Sequence, residues 1–333
     1  MLLLLDQVAD IRNVVRALHA CAKGKRQSRG YQLMQLELSR ELVAIAAQLA
    51  TGEWPWQPYH SFEVCDPKRR RIYAAPFRDR VVHHALHQII APFVEHHMPK
   101  TSWACRKNMG TRGAVLALSA AINRLGAKRY VVKLDVSSYF ASIDYRILAD
   151  MLAAVLPDES LAAILGSLLR SHPEYAERGC GIPLGNLTSQ LFANFFLAGV
   201  DRLCGAAVEQ VFYVRYMDDM VLVGADKGQV LDLKEQAVAY CKDVLKLTVP
   251  SRKTVHLAND PVPFLGYLVD IGGFKVLSRT RRRHERQVRT MHGRGCRSSD
   301  IAQVVQSFSA FANLDQRLRQ ALSSTTFVVG EKA

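Results

Sequence analysis

The sequence predicts an α+β fold, and three observations carry that expectation. A short apolar run, Tyr130-Val131-Val132-Lys133-Leu134-Asp135, ends in an acid, the pattern of a buried strand that delivers a side chain at its tip. Two β-rich runs, Phe212 to Tyr216 and Met220 to Val223, flank Met217-Asp218-Asp219 and read as a hairpin with acids at its turn. Helical apolar spacing fills the stretches around them, so helices and strands form one layer in which distant acids meet at an edge.

The elements follow in order. Val8, Ile11, Val15 and Leu18, then Leu36, Leu38, Leu42, Ile45 and Leu49, predict two helices joined by the basic turn Lys23-Gly24-Lys25-Arg26. Prolines, aromatics and the cluster Asp66 to Arg71 predict irregular strands from Trp54 to Pro76, before a helix from Phe77 to Val94. Further helices are expected near Arg112 to Leu125, Tyr145 to Leu169 and Leu187 to Leu203, with a Gly/Pro-bearing loop from Gly179 to Gly185. After the hairpin come a helix near Gly228 to Leu245, short strands to Leu277 and a basic helical tail.

Composition narrows the partners. Of 333 residues, 44 are Lys or Arg and 30 are Asp or Glu, a net charge of +14 that calls for an anionic partner: nucleic acid, membrane surface or polyphosphate. No stretch approaches the roughly 18 apolar residues of a membrane span, and the apolar start meets Asp6 with no basic segment before it. Seven well-separated cysteines without a Cys-x-x-Cys pair argue for reduced thiols in a cytoplasm.

Asp135 and Asp218 on neighbouring strand ends offer what two Mg²⁺ ions need: hard oxygen ligands, few of them, with room for water and phosphate oxygens. Such a pair of ions supports in-line phosphoryl transfer. Taken singly, Asp135 fits a helix cap and Asp218-Asp219 a polar turn equally well.

The neighbours of these acids are more specific. Tyr216-Met217-Asp218-Asp219 resembles the catalytic hairpin of reverse transcriptases, and Lys133 to Phe140 resembles the first catalytic motif of that family. Gly181 to Gln190 is similar to its template- and nucleotide-contacting motif. Leu247 to Thr254 is similar to its lysine-bearing motif, and Phe264-Leu265-Gly266-Tyr267 to its primer-grip strand. Upstream, Lys68 to Arg80 resembles the fingers motif that meets the incoming triphosphate. The likeness runs in the family's order from roughly Lys23 to Leu277.

That resemblance implies a right-hand polymerase: an N-terminal helical extension at 1–53, fingers at 54–128, a palm at 129–277 with a fingers-side insertion near 145–185, and a basic helical thumb at 278–333. It implies RNA-directed DNA synthesis with two Mg²⁺ ions, Mn²⁺ substituting, on Asp135, Asp218 and the carbonyl of Val136, with Asp219 sharing the site less directly. Lys253 would protonate the departing pyrophosphate, or is an ordinary surface lysine. Phe140, five residues past Asp135, falls where the family blocks a ribose 2′-hydroxyl, with core packing as the alternative. Arg71 and Arg78 suit the triphosphate, because guanidinium pairs phosphate oxygens in a fork; Lys68, Arg69 and Arg70 fit either that task or a solvated face. Leu184 and Gly185 are expected beside the nascent pair, and Ser189, Gln190, Leu265, Gly266 and Tyr267 along the template and primer.

Leu184-Gly185 with Ser189-Gln190, in place of the commoner Gln-Gly-x-x-x-Ser-Pro, is similar to the reverse transcriptases of diversity-generating retroelements of bacteria and phages. Those enzymes copy a template RNA with errors at adenines. Leu184 in place of a long amide removes a hydrogen-bonding group that would discriminate mispairs, or is simply core. The expected location is the cytoplasm of a bacterium, from a bacterial or phage gene. Expected partners are a template RNA and its nascent cDNA, deoxynucleoside triphosphates and a small basic accessory protein, with no membrane. Antiphage-defence, retron-like and intron-maturase enzymes stay open, the last lacking an X domain, as does a non-enzymatic RNA-binding scaffold.

His83 and His87 stand at i, i+4 on a helix without the glutamate that a zincin motif requires. From Ser278 to Arg297 the chain has eight arginines and one glutamate, and Arg279, Arg282, Arg283, Arg286 and Arg289 recur at helical spacing, suited to a duplex backbone or to solvent. Only 56 residues follow Leu277, too few for a ribonuclease H or endonuclease, so template removal and integration are expected to come from elsewhere.

Overall fold

The computed structural model describes residues 3–65, 69–173, 178–207, 209–250, 255–256 and 260–325. Four helices open the chain where two are expected: α1 (Leu4–Ala9), α2 (Ile11–Ala22), α3 (Arg29–Leu36) and α4 (Leu38–Ala50). Asp10 starts the second, its carboxylate accepting from the Arg12 amide at 2.7 Å, and Glu37 leaves helical geometry between the last two. An antiparallel hairpin of β1 (His60–Cys65) and β2 (Arg69–Ala74) leads into α5 (Phe77–His96). Asn13 docks α2 on that helix, its buried amide donating to the Val8 carbonyl at 3.0 Å and to the Ala85 carbonyl at 3.1 Å.

A helix, α6 (Thr111–Leu125), precedes β3 (Tyr130–Asp135), followed by α7 (Tyr139–Ser142), α8 (Tyr145–Val155) and α9 (Ser160–Arg170). The single helix expected from 145 to 169 is divided at Leu156-Pro157-Asp158. Proline cannot continue the ladder, and Asp158 accepts from the amides of Ser160 at 2.9 Å and Leu5 at 3.1 Å. Then come α10 (Leu187–Phe196), α11 (Ala198–Ala206), the hairpin β4 (Val211–Tyr216) and β5 (Asp219–Gly224), and α12 (Lys227–Asp243). Strands β6 (Val255–His256), β7 (Val262–Phe264), β8 (Tyr267–Asp270) and β9 (Gly273–Val276) lead to α13 (Ser278–Gly293) and α14 (Ser298–Thr325).

The central sheet has the order β4-β5-β3-β6, and β7, β8 and β9 form a second antiparallel sheet. Strands β3 and β5 read as unbroken apolar runs because both faces are buried. Val132, Leu134, Met220 and Leu222 join the larger core with the N-terminal helices, α10 and α12. Val131, Val221 and Val223 join a second core with α6 and the β7–β9 sheet. The register pairs Asp135 with Asp219, so the acid ending β3 and the acid opening β5 share one edge. No described helix is long and apolar enough to cross a membrane.

Candidate active site

Met217 bends the β4–β5 hairpin in the left-handed region, at φ 53°, and the bend brings Asp218 against Asp135. Burial, and then the Asp135 and Asp219 carboxylates, push the Asp218 carboxyl up to about 6. Two acids that repel at a half-open edge fit a divalent cation, which would keep both ionised; its other ligands would be main-chain, substrate and water oxygens. Among the described residues, no group of three or more His, Cys, Asp or Glu side chains is arranged to hold an ion, so the pair would need those further oxygens.

Asp219 is held apart from this pair. Its carboxylate lies 3.2 Å from Lys133 Nζ, which also donates to the Pro263 carbonyl at 2.7 Å. Lys133 thereby fastens β3 to the second sheet, a role that its place in an apolar run did not suggest.

Asp135 and Asp218 open into a cavity of about 640 Å³. Arg69, Arg70 and Arg71 line it from β2 and Phe140 from α7, and Val136, Leu184 and Arg178 are among its other lining residues. Arg69 also pairs with Glu63 at 2.5 Å on the solvent side of the hairpin. Phe140 packs partly against the larger core and also lines the cavity. The Leu184 carbonyl accepts from the Tyr73 amide at 3.0 Å. Gly185, at φ 119°, permits that approach: a Cβ there would stand 3.1 Å from Ile72 Cγ2 and 3.3 Å from the Tyr73 oxygen. Arg178, beside Gly179, was not singled out from the sequence; its only signal was a cation in a glycine-bearing loop.

Other expectations meet a different geometry. Arg78 does not line the cavity. Its Nε donates to Glu41 at 2.9 Å, and its guanidinium lies 4.8 Å over the Trp54 ring, because the first turn of α5 faces the N-terminal helices. Asp79 next to it accepts from Trp54 Nε1 at 2.9 Å and from the Gln57 amide at 2.8 Å. Tyr267, expected along the primer, is 1% exposed; its hydroxyl donates to the Phe311 carbonyl at 2.8 Å and its ring stacks on Phe311. Leu265 packs against the second core, whereas Gly266 reaches a groove of about 1,210 Å³ with Arg279, Arg282, Arg283 and Arg286. Arg289 is not on that groove; Arg294 is. Ser189 is 3% exposed on α10, and Gln190 lies in a separate cleft behind the loop. Lys68 and Lys253 lie outside the described residues.

One buried residue that sequence reasoning missed altogether is Arg215 on β4. Fully buried, it pairs with Asp201 of α11 at 2.5 Å and donates to Asn194 Oδ1 at 2.9 Å, to Ser102 Oγ at 3.0 Å and to the Met217 carbonyl at 3.0 Å. A lone arginine in a strand ordinarily marks a solvent face, so nothing local announced this one.

A four-stranded sheet with paired acids at its edge, under a basic hairpin and beside an arginine groove, is the arrangement of a right-hand polymerase. Solved telomerases share the fold. Telomerase from Candida albicans, in complex with a TWJ fragment of telomeric RNA, matches with TM-score 0.51 at 12% identity, over 74% of this chain and 51% of that one. Apo telomerase from Candida tropicalis matches with TM-score 0.53 at 10% identity, over 74% and 54%. The chain spans about half the length of those telomerase chains. The family model for reverse transcriptase (RNA-dependent DNA polymerase) matches residues 65–269, more than half of the sequence, and the chain belongs to that family of RNA-directed DNA polymerases. Protein YkfC of Escherichia coli K12 is a relative, 25% identical over 278 residues, covering 71% of this chain and 72% of its own.

Proposed function

We propose that this chain extends a DNA primer on an RNA template, with two Mg²⁺ ions held by Asp135, Asp218 and the Val136 carbonyl. The observation that carries the reading is the meeting of Asp135 and Asp218 in a cavity walled by Arg69, Arg70, Arg71 and Phe140. Bound there, the ions would ease loss of the primer 3′-hydroxyl proton and offset charge on the leaving oxygen. The arginines of β2 pair the triphosphate oxygens, and the Phe140 ring occupies the space a 2′-hydroxyl would need. Asp219, tied to Lys133, positions the hairpin. Replacing Asp218 by Asn keeps the shape and removes the charge, and we expect primer extension with Mg²⁺ or Mn²⁺ to fall by about three decades, some 4 kcal/mol of barrier. Near-normal extension by that variant overturns the proposal.

We further infer an error-prone enzyme of a diversity-generating retroelement, aided by a small basic accessory protein. Leu184 supports this: its apolar side chain lines the cavity and offers no hydrogen bond to a mispaired base. Sequencing the cDNA copied from a defined RNA tests it. Errors concentrated at template adenines are the expected result, and a flat, low error spectrum is the opposing one.

A further inference from the structure

Behind the Leu184–Asn186 loop, on the side away from the acids, lies a half-open cleft of about 190 Å³. It is lined by Lys25 from the basic turn after α2, Arg80, His83 and His84 from α5, and Asn186, Leu187 and Gln190 at the start of α10. No carboxylate among the described residues lines it.

The cleft is flanked by polar atoms, three donors and the acceptor Asn186 Oδ1, that the fold leaves unpaired. Arg80 Nε, His83 Nε2 and both amide atoms of Asn186 are buried and make no hydrogen bond of ordinary geometry; the Tyr59 hydroxyl near Asn186 is turned to Ser171 Oγ at 3.2 Å. A buried polar group left unpaired is costly. Asn186 is 3% exposed and His83 1%, so bulk water does not satisfy them. His83 Nδ1 lies 2.8 Å from the Thr188 hydroxyl. When that hydroxyl donates, the imidazole carries its proton on Nε2 and leaves an unpaired donor beside the cleft. Asn186 also occupies the N-cap of α10, a ten-residue helix, without capping it by its side chain, and the N-terminus of that helix abuts the cleft through Asn186 and Leu187.

Two cations, two neutral donors and a helix N-terminus without an opposing acid describe an anion site, and its volume suits one tetrahedral group. We propose that this cleft seats one backbone phosphate of the template RNA, gripping the strand as it passes the Leu184 loop. The proposal rests on the polymerase reading above and adds to it a point of hold outside the catalytic cavity. Leu184 lines the catalytic cavity and the next residue, Gly185, lines this cleft, and that adjacency favours a strand over a free ion.

A full-length chain bound to a fluorescent DNA primer annealed to an RNA template decides the matter, with single neutral methylphosphonate linkages scanned along the template. Expected is one linkage whose neutralisation weakens binding by about tenfold, a difference of ~1.4 kcal/mol. In the double variant Lys25→Ala, Arg80→Gln that linkage should have no effect, and the unmodified duplex should bind about tenfold more weakly. If the double variant does not fold, Lys25→Ala alone, at an exposed position, should shrink the linkage effect. Equal sensitivity of every linkage in wild type and variant overturns the seat. A rise in melting temperature with inorganic phosphate, and no linkage effect, assigns the cleft to a free ion and also overturns it. Primer extension by the same preparations separates the two readings: normal extension without a linkage effect sinks only the seat, whereas a linkage effect without extension sinks only the polymerase reading.

Discussion

Arg215 holds the Met217 carbonyl at 3.0 Å, and so the bend that presents Asp218 is anchored to an ion pair buried one layer below it. Asp201 is as fully buried as Arg215 and also accepts from the Tyr213 hydroxyl at 3.0 Å. Replacing Asp201 by Asn leaves a guanidinium without its counter-charge in the core. The expected loss of stability is about 3–5 kcal/mol, read from denaturant unfolding. A loss under 1 kcal/mol would show that Asn194 and Ser102 suffice.

Lys133 is expected to act on rate rather than on affinity. Lys133→Met frees Asp219 from its 3.2 Å partner and leaves the Pro263 carbonyl without its donor. Steady-state extension should show kcat down by about tenfold, ~1.4 kcal/mol, with KM for the nucleotide little changed. A change confined to KM would place Lys133 in nucleotide binding.

Phe140 faces the cavity while resting on the core, so truncation should loosen sugar selection at moderate structural cost. Phe140→Ala is expected to raise ribonucleotide incorporation relative to deoxynucleotide in single-nucleotide extension. Unchanged selectivity returns the ring to the core alone.

The His83 imidazole is buried and pushed down to about 3, far below the 6.5 of an unfolded histidine. Below pH 6.5 the unfolded chain therefore binds a proton that the folded chain refuses, and stability falls as pH falls. Between pH 6.5 and 5 the contribution is about 2 kcal/mol. His84 and His87, shifted the same way by burial, add to the trend. Melting temperatures across that range should decline for the wild type and decline less for His83→Gln; parallel curves would refute the assignment to His83.

What the sequence made legible was whatever short-range pattern controls. The runs at 130–135 and 211–224 were readable because strands buried on both faces are apolar throughout, and the Asp135–Asp219 register follows from their lengths. Helix divisions at Asp10 and Pro157 carried local signals that apolar spacing overrode. Arg215 was illegible, because its acid lies 14 residues upstream on another element and a strand arginine by default faces water. The destinations of Arg78 and Arg80 depend on how α5 meets the N-terminal helices, which no local pattern states.

One join between β2 and the Leu184 loop is a main-chain hydrogen bond, from the Tyr73 amide to the Leu184 carbonyl. A side chain at 184 can be exchanged without removing that bond. Gly185, which must stay small beside Ile72, bears the architectural constraint. Adjacent positions thus divide their duties: one is nearly fixed by packing, and the other can change what the cavity wall presents while the fold around it stands still.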